Sequence, residues 1–343
     1  MKSASAVTAL ALALAVAHLP AWAQNVKITP IGSHPGELCN SDRATIFEDP
    51  TGVRILYDAG QTVTGSDDSR LGAVHVVLLS HAHGDHIGDR KLKAPGAGTC
   101  AAPDTVPAGP NSTTAEIAAA KNAAIVMVTD MAVFVGKKME NIRGKPTGVC
   151  PQTAGATIVP VENACRSAIH LGGTWAVKTA SADKAVEITI VYASHANNVP
   201  LSLLSEPLRA QFATDDTSIV LGPPAGFVVK FTNGLTAYLT GDSGIHTEMK
   251  TVVGEFHKPN LAILNVGPSA ISAPSGAYAM NELVRPASVI LSHPNEAVTE
   301  GGKLRTSSRA AGYVERIKGR ATHLAISGRT MEFDGRGRCV AGC

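Results

Sequence analysis

The chain of 343 residues sets 30 Lys and Arg against 28 Asp and Glu, a formal net charge of +2, with 44% hydrophobic and 4% aromatic residues. No basic block or Arg-rich stripe breaks that balance, so the footprint of a polyanion is missing and nucleic acid is excluded as an expected partner. The length suits one large α/β domain or two ordinary ones, with a substantial buried core in either case.

The first residues read as an export signal: Met1-Lys2, an apolar run over 6–19, and the small-x-small site Ala21-Trp22-Ala23. The run is shorter than the roughly 20 residues a membrane span needs, so a signal peptide over 1–23 is expected to be removed. The mature chain, 24–343, is then expected to be periplasmic or secreted, with no membrane contact. All six cysteines (Cys39, Cys100, Cys150, Cys165, Cys339 and Cys343) follow that site, and an even count in an exported chain points to disulfides. Short loops favour Cys150 with Cys165 and Cys339 with Cys343, leaving Cys39 with Cys100, although other pairings stay open. With no Cys-x-x-Cys pair, a zinc knuckle is disfavoured.

In chain order, short β-branched or apolar runs at 26–31, 44–47, 53–57 and 74–79, bounded by Gly, Pro and Asp, read as strands. The Ala-, Gly- and Pro-rich stretch 91–123 reads mostly as loop, with a short helix over 114–122, and the inserted loop region as a whole is bounded at about 91–168. Inside it, 124–128 resembles a buried strand and 130–139 a helix N-capped by Thr129 or Asp130. A strand follows at 186–192. Further strands are expected at 226–231, 236–239, 261–265 and 288–291, with helices near 247–255, 275–283 and 307–317. Two sheets with helices outside them is the natural packing for this order.

Chemistry gathers where the strand 74–79 ends, in Ser80-His81-Ala82-His83-Gly84-Asp85-His86. Three imidazoles and a carboxylate within six residues cannot share one helical face or point into a core together, and they call for a cation on which to converge. Gly84 supplies the freedom for the turn. Three later strands run into single ligand-type residues: His195 after 186–192, Asp242 after 236–239, and His293 after 288–291. Alone, each of the three reads more readily as structural, and Asp242 as a helix N-cap. Their order after the first motif gives them a common purpose.

At this point the chain resembles the metallo-β-lactamase superfamily, and within it the branch of metal-dependent hydrolases related to ascorbate-6-phosphate lactonase. The resemblance rests on 80–89 (SHAHGDHIGD), 170–177 (HLGGTWAV), 193–197 (ASHAN), 222–229 (GPPAGFVV), 240–244 (TGDSG) and 291–296 (LSHPNE). It implies an α/β fold, the four-layer αββα sandwich. It also implies two divalent ions: one on His81, His83 and His195, the other on Asp85, His86 and His293, with Asp242 between them. Zinc is the default occupant, and Mn2+ or Fe2+ suits the same ligands. Asp58 matches a position that supports the ligands from behind.

The implied reaction is hydrolysis of a small ester, lactone or phosphoester by hydroxide generated at the dinuclear site, with Asp85 as the residue that orients the nucleophile or accepts its proton. Two alternatives stand beside it: a periplasmic β-lactamase, and an inactive metal-binding protein of the same fold. The first is disfavoured because typical β-lactamases carry Cys or Ser at the position of Asp242. A glyoxalase-type thioesterase is disfavoured because too little chain follows His293 for a helical substrate domain, and flavo-diiron chemistry because a glutamate would stand at His83. Neither substrate nor oligomeric state is legible. His246, Asn198, Ser292 and Asn295 lie near the motifs without a readable role.

Overall fold

The strand Val26–Ile31 shows how the sequence builds the first layer, since Val26 and Ile28 are fully buried while Lys27 between them is exposed. That alternation fits a strand with one covered face. It pairs antiparallel with Ala44–Glu48 on one side and with Met331–Phe333, from near the other end of the chain, on the other. The computed structural model describes residues 24–343, and the expected signal segment 1–23 lies outside the described residues.

The first sheet has eight strands, in the order Cys339–Ala341, Met331–Phe333, Val26–Ile31, Ala44–Glu48, Arg54–Tyr57, Val76–Leu78, Ala124–Val126 and Cys165–Arg166. The second also has eight: Ala321–Leu324, Ser288–Ser292, Leu261–Asn265, Thr236–Leu239, Ala225–Lys230, Val186–Tyr192, Thr174–Thr179 and Thr157–Val159. Leu261–Asn265 and Ser288–Ser292 are buried at every residue, as parallel strands covered on both faces must be. Phe47 stacks on Phe231 at 5.8 Å and Tyr57 meets Phe227 edge-on at 6.2 Å, so the two sheets face each other across one core.

Helices Thr113–Ala120 and Thr129–Arg143 pack on the first sheet. Three helical segments carry the crossovers between the parallel strands of the second. They are Met249–His257, wound with the wider π-type turn; Ala273–Tyr278, continuing as Ala279–Val284; and Arg309–Arg316. The fold is therefore α/β, the expected αββα arrangement. Among the described residues no helix is long and apolar enough to cross a membrane. Disulfides join Cys39 to Cys100, Cys150 to Cys165 and Cys339 to Cys343, the pairing that short loops favour.

The region 91–168 differs from the inserted loop read from the sequence. A hairpin of Arg90–Leu92 with Thr105–Pro107 opens it, Ala124–Val126 is the strand expected at 124–128, and Thr157–Val159 and Cys165–Arg166 also belong to the two main sheets. Strands of two or three residues are too short to show periodicity, which is why Gly and Pro dominate the reading there. The helix Thr129–Arg143 runs on to Gly144 in the left-handed conformation and is preceded by Val128, with no side-chain cap at its start. Thr129 instead donates its hydroxyl to the Ile169 carbonyl. The helix Glu206–Thr214 and the strands beyond 320 had no sequence reading.

Candidate metal centre

All the ligand-type residues follow strands that end at the same rim of the two sheets. His81 lies just beyond Val76–Leu78, and Asp85 and His86 sit in the one-turn helix Gly84–Ile87, closed by Gly88 at φ 78°. A β-carbon at Gly84 would come within 2.6 Å of the Asp89 carboxylate, which would have to move aside to admit a side chain there. His195 and Asp242 each stand three residues past their strands, Val186–Tyr192 and Thr236–Leu239. His293 directly follows Ser288–Ser292 and itself takes a left-handed φ of 54°.

The seven side chains meet as three overlapping groups of donors: His81, His83 and His195; His81, His86 and Asp242; and Asp85, His86 and His293, with the atoms of each group within 4.8 Å of one another. His81 Nε2 lies 3.1 Å from His83 Nδ1, and His86 Nε2 lies 2.9 Å from His293 Nε2. Asp242 Oδ2 reaches towards both clusters, at 3.3 Å from His293 Nε2, 3.4 Å from His86 Nε2 and 4.0 Å from His195 Nε2. Donors arranged tetrahedrally at zinc-ligand bond lengths are separated by about 3.3 Å, which the observed 2.9–4.0 Å separations bracket. Nitrogen and carboxylate donors, converging and largely buried, fit divalent transition ions.

The surrounding residues decide which ring nitrogens are free to bind. Asp58, fully buried at φ 43°, accepts hydrogen bonds from the Ser80 amide (2.8 Å) and the Ser80 hydroxyl (2.7 Å). His86 Nδ1 lies 2.8 Å from Asp58 Oδ2, and His81 Nδ1 lies 3.0 Å from Ser80 Oγ. With Nδ1 of each ring turned outward to these oxygens, Nε2 is the nitrogen that faces the centre. Asn265 Nδ2 donates to Asp242 Oδ1 at 3.0 Å, which turns Oδ2 inward. Arg43 pairs with Asp85 Oδ2 and also donates to Asn295 Oδ1 at 3.3 Å.

The charges of the centre are mutually dependent. Burial opposes ionisation of Asp242, yet His293 and His86 hold its carboxyl well below the usual carboxylate range. Burial likewise opposes ionisation of Asp85, and Arg43, His86 and His293 overcome it. For His86 burial disfavours the imidazolium, but the carboxylates of Asp242, Asp58 and Asp85 lift its pKa to about 10. Burial, reinforced by His86, takes His81 well below its ordinary value. Ionised carboxylates that keep the His86 imidazole protonated mark the rim as a place for positive charge, and an ion bound there would take the place of the His86 Nε2 proton.

Each residue singled out in the sequence can now be placed. Asp58 stands behind His86, as the resemblance implies. Asn295 serves Arg43, while Asn198 bonds to Ser218 Oγ, away from the ligands. His246 packs edge-on against Tyr192 at 5.1 Å, with both ring nitrogens buried and without hydrogen-bond partners. Ser292 closes its strand at full burial. Four contributors escaped the sequence reading: Ser80, Arg43, Asn265 and Asn197, whose Oδ1 accepts the Ala82 amide at 2.6 Å. Ser80, directly before His81, and Asn197, inside the motif 193–197, had a local signal.

No protein-family model matches the chain. It is similar to a UPF0173 metal-dependent hydrolase from Koribacter versatilis, with 25% identity over 248 residues covering 71% of this chain and 77% of that relative. A UPF0173 metal-dependent hydrolase from Staphylococcus carnosus shares 24% over 249 residues, 71% of this chain and 79% of its own. Among solved structures, Igni18, a novel metallo hydrolase from the archaeon Ignicoccus hospitalis, superposes with a TM-score of 0.55 at 19% identity, over 90% of this chain and 99% of that one. The chain is thus similar in sequence to metal-dependent hydrolases, and its two facing sheets, with a rim of His and Asp clusters able to bind metal, share the fold of a solved metallo hydrolase.

Proposed function

We propose that the protein hydrolyses a small ester, lactone or phosphoester at a centre of two divalent ions. The observation that carries this reading is the position of Asp242 Oδ2, within 4.0 Å of ring nitrogens from both histidine clusters. One ion would be held by His81, His83 and His195, the other by Asp85, His86 and His293, with Asp242 shared between them and zinc the default occupant. When bound, such a pair supplies hydroxide near neutral pH and polarises the scissile carbonyl or phosphoryl oxygen.

The chain's own residues do the rest. Ser80, Asp58 and Asn265 hold the donor atoms inward, so substrate meets a site that needs no reorganisation. Asp85 is the most accessible of the carboxylates here, with its side chain one-third exposed. Its Oδ2 is shared by Arg43 and His293, which leaves Oδ1 to orient the nucleophile or accept its proton. Three disulfides support a periplasmic or secreted location, with 1–23 as the removed signal and 24–343 as one hydrolase domain. The partner proposed is a small-molecule substrate rather than nucleic acid or membrane.

The test is elemental analysis of the purified mature chain together with turnover of a lactone, a phosphodiester and a chromogenic β-lactam. Close to two transition ions per chain, with activity on the lactone or the phosphodiester, is expected. Asp242→Ala is expected to abolish turnover and to weaken binding of the second ion. A fully active Asp242→Ala protein that still carries both ions would overturn the ligand assignment, and turnover of the β-lactam alone would favour the β-lactamase alternative.

A further inference from the structure

We propose that Arg43 is a positioning residue of the second ion's site, keeping the affinity of Asp85, His86 and His293 below that of His81, His83 and His195; this rests on the two-ion reading above. The Arg43 side chain is 1% exposed, so its charge meets neither bulk solvent nor an arriving substrate. Its stem runs past Gly60, where a β-carbon would lie 3.0 Å from Cγ and Cδ. Nε donates to the Ser41 carbonyl at 3.1 Å and Nη2 to Asn295 Oδ1, which aims Nη1 at Asp85 Oδ2.

That oxygen is the one His293 Nε2 approaches to 3.4 Å and His86 Nε2 to 3.9 Å. An ion held there must share Oδ2 with a fixed guanidinium or take the other oxygen. It must also sit beside a positive charge that no proton transfer can remove, because an arginine does not deprotonate in proteins. Both effects weaken binding. Among the described residues no Lys or Arg forms an ion pair with Asp242, and none lies among the partners of His81, His83 or His195, so the other site carries no such burden. The expected result is ordered loading: the three-histidine site fills first, and the Asp85 site follows at higher free metal.

The experiment is a titration of chelator-treated protein with Zn2+ against a competing chromophoric chelator, resolving two stepwise dissociation constants. His293→Ala identifies the weaker step by removing it. Arg43→Met is expected to tighten that weaker step about tenfold or more while the tighter step stays within about twofold, and Arg43→Lys, which keeps the charge, is expected to stay near wild type. Arg43→Gln serves as a second neutral variant, with folding checked by circular dichroism. A weaker step that is unmoved or loosened in the neutral variants overturns the proposal and leaves the two-ion reading intact. Failure of both neutral variants to fold also overturns it, by assigning Arg43 to stability. Wild-type protein that binds fewer than two ions overturns the two-ion reading itself.

Discussion

One hydroxyl joins the two halves of the ligand set. Ser80 Oγ lies within 2.7–3.2 Å of Asp58 Oδ2, His81 Nδ1 and His86 Nδ1, and so fixes one imidazole from each proposed ion site. Ser80→Ala leaves both rings without that partner, while Asp58 still holds His86. Binding of the ion on His81 is therefore expected to weaken by about 10–100-fold, and that on His86 by less, as read by chelator competition. That these seven side chains would gather was legible, because residues of ligand type recur just beyond strand ends. Asn265 and Arg43 were not legible. An asparagine at the end of an apolar strand, or an arginine before one, has many uses, and only the fold brings Asn265 onto Asp242 and Arg43 onto Asp85.

Among the elements, the turn after Arg54–Tyr57 packs tightly against the metal-ligand turn. Gly60 adopts φ 58°, and a β-carbon there would lie 2.8 Å from the Asp85 carbonyl oxygen as well as against Arg43. Gly60→Ala is expected to destabilise the fold by about 1–3 kcal/mol in urea unfolding, and to disturb the Asp85 turn before the three-histidine cluster. The well-buried strands Val186–Tyr192 and Leu261–Asn265 were readable to within a residue, whereas Thr174–Thr179 and Ala321–Leu324, more exposed, were not. Of the shortest, Val76–Leu78 and Ala124–Val126 were read inside apolar runs, and the more polar ones were not. Thr157–Val159 and Cys165–Arg166 are strands because neighbouring edges offer them hydrogen-bond partners, and the sequence of a short segment does not record its neighbour.

Across the whole molecule, covalent links and pairing between distant parts of the chain hold the outer strands. Cys150 and Cys165 close a loop of 15 residues that ends at the edge strand Cys165–Arg166. In the chain-entropy account, a loop of that length contributes about 3 kcal/mol. Reduction is therefore expected to lower the melting temperature by several degrees, and a Cys150→Ala, Cys165→Ala double variant to be insensitive to further loss at that loop, both read by circular dichroism with and without dithiothreitol. The sandwich itself was legible from strand order, whereas the return of Met331–Phe333 to cover Val26–Ile31 was not, since it joins segments some 300 residues apart in sequence.

The seam between the two sheets has a consequence for the order of events in the life of this chain. Every proposed ion site takes donors from both sides of that seam: His81 and His83 with His195, and Asp85 and His86 with His293. Asn197 clamps the same seam, taking the Ala82 amide on one side and giving its own amide to the Leu221 and Gly222 carbonyls on the other. A half-folded chain holds an incomplete set of ligands whichever half forms first. Capture of an ion by a complete set of donors would therefore require both sheets to have closed, and an ion so held would report that closure.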